Sequence, residues 1–96
     1  MLARYGGEEF IVLLPDTAVR EGVVVAERMR RKIQKTEFRT EKSSISITAS
    51  FGVSDSLVQT DGKEQEIVLS EFVANADRAL YTSKNSGRNK VTVFER

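Results

Sequence analysis

A chain of 96 residues suffices for one domain with a modest core, and 40% hydrophobic against 30% charged residues excludes a chain too polar to fold. With 15 Lys and Arg against 14 Asp and Glu the formal charge is +1, so no global field draws the chain to nucleic acid or anionic lipid and any phosphate binding must be local. Cysteine and histidine are absent, which excludes disulfides, thiol nucleophiles, zinc-finger sites and His-based triads and leaves acid and base chemistry to carboxylates, lysines and tyrosines.

Leu2 to Tyr5, Gly6-Gly7 and Phe10 to Leu14 predict two strands around a tight turn, because paired glycines accept the positive φ angles that hairpins demand. Pro15 and Asp16 end the second strand. Asp16 or Thr17 is the expected cap of a helix running to about Lys35, with Val19, Val23, Ala26, Met29 and Ile33 on its buried face and Arg20, Glu27, Arg31 and Gln34 toward solvent. Thr36 to Ser44 reads as a polar connector. Ile45, Ile47, Ala49, Phe51 and Val53 alternate with small polar residues and predict the clearest strand. Asp55 to Glu66, with Asp61-Gly62, reads as a surface loop. Leu69, Phe72, Val73, Ala76, Ala79, Leu80 and Ser83 mark a second helix that Gly87 can end, and Val91 to Phe94 a final strand. The order β-hairpin, α, β, α, β predicts a layered α/β or α+β fold. The longest apolar run, Phe10 to Leu14, is too short to span a bilayer and the N-terminus lacks the regions of a signal peptide, so the segment is read as cytoplasmic with no membrane contact of its own.

Glu8 and Glu9 stand side by side at the hairpin tip. Two carboxylates there can share a divalent cation, since magnesium favours one or two carboxylates together with substrate phosphates, and a solvated acidic turn is the simpler alternative. Lys84 and Arg88 flank the end of the second helix and suit phosphate, although cations at a helix C-terminus also complement its partial negative charge without any ligand. Arg28, Arg30, Arg31 and Lys32 spread over more than one helix face with no interleaved aromatic residue, so a solvated surface is the default for them and no nucleic-acid polymer is expected as a partner. Asp77 and Tyr81, one turn apart, are read as packing residues.

The segments RYGGEEF, FIVLLPDT, AERMR, ITASFGVS and ADRALYTSKNSGRNKV, in this order and spacing, resemble the GGDEF family of diguanylate cyclases through the whole chain. The resemblance implies a palm-like, ferredoxin-like sheet with helices, and condensation of two GTP molecules into cyclic di-GMP, each ribose 3′-hydroxyl attacking the other's α-phosphate in a site shared across a homodimer with Mg2+ or Mn2+. Carried onto this chain, Glu8 binds metal and helps deprotonate the attacking hydroxyl, Glu9 supports the metal, Gly6 and Gly7 make room for nucleotide, and Lys84 and Arg88 hold the triphosphate. Arg28 matches a secondary arginine of the inhibitory product site. Ser83, Ala49 and Phe51 are minor departures from the family pattern.

The resemblance also implies what these residues omit. In the family a strand bearing a second metal-binding aspartate, an asparagine and an aspartate that read guanine, and two helices precede the hairpin; the primary R-x-x-D product motif would end just before Met1. Residues 1–96 are therefore expected to be the C-terminal part of a single GGDEF domain, inactive alone. The missing strand would lie between the GGEEF strand and the Ile45 to Val53 strand, so the two are expected either to pair directly or to find pairing in a homodimer. The alternative function is a non-catalytic nucleotide-binding or dimerisation module derived from the same domain.

Overall fold

Gly7 makes the first reversal. The computed structural model describes residues 1–60 and 62–95, and in it β1 (Leu2–Gly6) runs antiparallel to β2 (Glu9–Val12) around the loop Gly7-Glu8. Of the paired glycines Gly7 alone takes a left-handed angle, φ 44°, which an L side chain resists. The register pairs Leu2 with Val12 and Arg4 with Phe10, then slips so that Gly6 faces Glu9. Glu9 and Ile11 are half-buried, while Phe10 and Val12 alternate outward.

The first helix, α1 (Val19–Lys35), begins later than the predicted cap. Asp16 adopts φ 51°, a turn conformation incompatible with the extended backbone of a capping residue, and Thr17 donates its hydroxyl to the Pro15 carbonyl at 2.8 Å; Ala18 takes the cap position without a side-chain bond. Gly22 and Ala26 are buried, and Val19, Val23, Met29 and Ile33 are half-buried as the spacing predicts.

Two expected loops are hairpins. β3 (Glu37–Arg39) pairs with β4 (Ser44–Ser46) around a turn in which the Thr40 hydroxyl accepts the Ser43 N–H at 3.1 Å. β6 (Leu57–Thr60) pairs with β7 (Lys63–Glu66), with Gly62 at φ 74° in the turn; Asp61, the other expected turn residue, lies outside the described residues. The long alternating strand is split: residues 44–46 pair back onto β3, and the ladder resumes only at β5 (Phe51–Val53), which pairs parallel with β8 (Val91–Val93). Alternation creates a strand face, but a ladder also needs a partner, and residues 47–50 have none.

The second helix, α2 (Leu69–Asn85), lies directly on β5. Any Cβ at Gly52 would drive into the carbonyl of Ala76 and the backbone nitrogen of Leu80, and would stand 2.8 Å from the Leu80 Cα, so helix and strand meet backbone to backbone. Ser83 is fully buried; its hydroxyl donates to the Phe51 carbonyl at 2.8 Å and lies 2.6 Å from the Thr92 hydroxyl, tying α2 to both strands. Among the described residues the strands form four two-stranded sheets, and β2 does not pair with β5. Of the two expected arrangements, direct pairing of the GGEEF strand with the later strand is therefore not adopted. No described helix is long and apolar enough to cross a membrane.

Gly52→Ala is expected to cost about 3 kcal/mol or more, because the atoms in the way are helix backbone; urea denaturation measures it. A second expectation concerns Glu27. A hydrogen bond from Arg30, at 3.0 Å from Nη2, and the nearby charges of Arg30 and Arg31 hold its carboxyl below the ordinary value of 4.5 against the opposing effect of desolvation. The unfolded chain thus takes up this proton at higher pH than the folded one, so the stabilisation is complete above about 4.5 and is lost as pH falls through the lowered folded value. Glu27→Gln should flatten the acid limb of stability against pH below that point and leave its shape at neutral pH unchanged.

Candidate functional site

The hairpin tip is braced from below. The Arg4 guanidinium donates to the Gly7 carbonyl from Nε at 3.1 Å and from Nη2 at 2.8 Å, which fixes the loop carrying Glu8. Sequence reasoning had no role for Arg4; the available signal was a cation three residues ahead of the turn glycine. Glu8 is exposed at the tip, and among the described residues no heavy atom other than those of the glycine and its immediate chain neighbours lies within 4 Å of where a Cβ on Gly6 or Gly7 would stand. The surface over the turn is open to close approach.

Glu9 is met from the opposite end of the chain. Lys84, in the last turn of α2, places Nζ 3.3 Å from Glu9 Oε1, with side-chain exposures of 29% and 33%. Gly52 and Ser83 set the height and rotation of α2, and so aim Lys84. The pair borders a shallow cavity of about 170 Å³ lined also by Asp77, Leu80 and Tyr81. Asp77 and Tyr81 are therefore not packing residues: both are exposed, Tyr81 by 71%, and both face this cavity.

Arg88 is presented by an unusual turn. The Arg88 N–H bonds the Ser83 carbonyl at 2.9 Å while Gly87 takes φ 112°, a Schellman ending of α2. Two further left-handed residues follow, Arg88 at φ 62° and Asn89 at φ 50°, each costing roughly 1–2 kcal/mol of backbone strain. The Ser50 hydroxyl accepts the Asn89 N–H at 3.1 Å, and Arg30 Nη1 donates to Asn89 Oδ1 at 3.1 Å. Arg30 is thus only 17% exposed and networked, not part of the solvated helix surface expected for it. The Arg88 side chain itself is exposed. Arg28 is exposed beside a shallow groove of about 380 Å³ that it lines with half-buried Val25 and Met29 and exposed Lys32 of α1.

Among the described residues no group of three or more acidic residues is placed to hold a metal. The carboxylates at the turn are Glu8, open to solvent, and Glu9, paired with Lys84. That set fits a magnesium-type ion, which takes one or two carboxylates and completes its shell with water and substrate phosphates.

Known proteins resemble this chain in sequence and in fold. The family model described as "Diguanylate cyclase, GGDEF domain" matches residues 1–90. Diguanylate cyclase A of Treponema denticola is 40% identical over 91 residues, covering 95% of this chain and 23% of that protein. Response regulator PleD of Caulobacter vibrioides is 37% identical over 90 residues, covering 92% and 18%. The crystal structure of the GGDEF domain of DgcB from Caulobacter crescentus in complex with c-di-GMP superposes with a TM-score of 0.79 at 31% identity, over 99% of this chain and 52% of that one. The active GGEEF domain of a diguanylate cyclase from Vibrio cholerae gives a TM-score of 0.76 at 28% identity, over 99% and 56%. The chain thus spans less than a quarter of these two relatives and about half of these two solved chains. Agreement in sequence over residues 1–90 and in fold makes this chain a member of the GGDEF family of diguanylate cyclases.

Proposed function

We propose that the chain is the C-terminal part of a cytoplasmic GGDEF domain and carries the triphosphate-binding and metal-binding side of a site that condenses two GTP into cyclic di-GMP. The observation that carries the reading is the approach of Lys84 to Glu9 from 75 residues away, beneath an open glycine turn. Lys84 and Arg88 supply positive charge to the phosphates, and Gly6 and Gly7 admit them to the turn. The Lys84–Glu9 pair is solvent-reachable, so Lys84 can exchange its carboxylate for phosphate at little cost. Glu8 takes the proton from a ribose 3′-hydroxyl as its oxygen bonds to the α-phosphorus of a second GTP and pyrophosphate leaves. Mg2+ or Mn2+, held by Glu8 and Glu9, would neutralise phosphate charge. Two GTP molecules attacking each other call for two facing copies, hence a homodimer. Arg28, on α1, is proposed as a weak contact for the cyclic product.

A second reading, binding without turnover, is favoured by the separation of β2 from β5. Both readings predict that the 96 residues alone bind GTP and do not turn it over. With magnesium, calorimetry should detect GTP binding that weakens about tenfold in Lys84→Ala, the loss of one charge-assisted contact, and that loses its metal dependence in Glu8→Gln. Incubation with GTP and magnesium should yield no cyclic di-GMP. Robust product would overturn the inactivity of the 96 residues, and GTP binding indifferent to Lys84 and to magnesium would overturn the site.

A further inference from the structure

We infer that Arg30 is a positioning residue for the phosphate-holding arm, acting through Asn89 on the backbone that presents Arg88; the inference rests on the nucleotide-site reading above. A Schellman ending needs one left-handed residue, and Gly87 supplies it. Arg88 and Asn89 continue left-handed beyond what helix termination requires, at φ 62° and 50°, and neither is glycine. Such a conformation persists only where its surroundings hold it.

The restraint comes from two other parts of the chain. Ser50, just ahead of β5, accepts the Asn89 N–H, and Arg30 of α1 donates to the Asn89 side-chain oxygen, each at 3.1 Å. Arg30 is itself fixed before it reaches Asn89. Its Nε and Nη2 engage the Glu27 carboxylate at 3.0 to 3.3 Å and Nη1 also reaches Gln34 Oε1 at 3.2 Å, so the plane of the guanidinium is set by its own helix. Because Glu27 neutralises it and the side chain is only 17% exposed, Arg30 is poorly placed to bind phosphate directly. Its reach across 59 residues to Asn89 instead locks the peptide after Arg88, and with it the direction of the Arg88 side chain.

The test combines a conformational and a binding measurement on the same chain. In the ¹⁵N,¹³C-labelled protein, strong intraresidue HN–Hα cross-peaks at Arg88 and Asn89 report positive φ. They are expected in the native chain and reduced in Arg30→Ala and in Asn89→Gly, which keeps backbone freedom but removes the acceptor; at Asn89→Gly the reporter is Arg88. Arg30→Lys, which keeps charge but loses the fork, should resemble Arg30→Ala. Unchanged amide dispersion elsewhere identifies variants that remain folded, and Asn89→Gly serves if Arg30→Ala does not. GTP affinity in magnesium should fall about tenfold in Arg30→Ala and change less than twofold when the same substitution is made in an Arg88→Ala background. Equal losses in both backgrounds, or positive φ retained without Arg30, overturn the inference. If the native chain binds no GTP, the nucleotide-site reading fails and the cross-peaks alone decide whether Arg30 sets the turn.

Discussion

The contact on which the rest depends is the crossing of α2 over Gly52. Backbone meets backbone there because glycine has no Cβ, and the helix settles deep enough for the buried Ser83 hydroxyl to reach both β5 and β8. A helix held at that depth and rotation has no freedom left to choose where its last turn points. Lys84 follows Ser83 directly and meets Glu9; Gly87 ends the helix, and Arg88 leaves from the strained turn beyond it. The chemistry of the site is in this sense an extension of one packing contact. From one fully buried position Ser83 thus makes two polar ties in addition to its packing.

The second constraint is the separation of the GGEEF hairpin from the β5–β8 pair. The hairpin is joined to α2 by a half-exposed ion pair and not by a strand ladder, and its outward side shows Leu2, Phe10 and Val12. Ion pairs of that exposure contribute about 1 kcal/mol or less, whereas a ladder would add several backbone bonds and bury those side chains. Lys84 and Glu9 are therefore brought together while the scaffold between their elements is thin, which is the physical basis for the proposal of nucleotide binding without turnover.

Much of this was legible from residues alone. The paired glycines marked the first hairpin, the 3.6-residue spacing marked both helices, and Gly87 marked the end of α2. The β3–β4 and β6–β7 hairpins were missed because their polar sequences read as loops, although a two-residue Asp-Gly between short runs is itself a hairpin signal. The Ile45 to Val53 alternation identified a face but not where pairing would stop, since that depends on a partner remote in sequence. Asp16 failed as a cap because Pro15 begins a turn there. In the site, the family resemblance assigned Lys84 to triphosphate and Glu9 to metal in one site, but their direct ion pair was not foreseen, since spacing does not measure distance between two ends of a chain. Arg4, Arg30 and Ser50 act through backbone geometry that only the folded chain displays, and Asp77 and Tyr81 were assigned to packing because their spacing matched the helix while their direction was unknown.

The proposed meeting place of metal and triphosphate lies between the glycine turn and the end of α2. It is tested most directly by adding Mn2+ and GTP to the ¹⁵N-labelled chain and measuring paramagnetic broadening of each amide. The strongest broadening is expected at Gly7, Glu8 and Glu9, with a second maximum at Lys84 to Arg88 and none beyond background on α1 around Arg28. Broadening centred on α1, or spread evenly over the acidic surface, would contradict it.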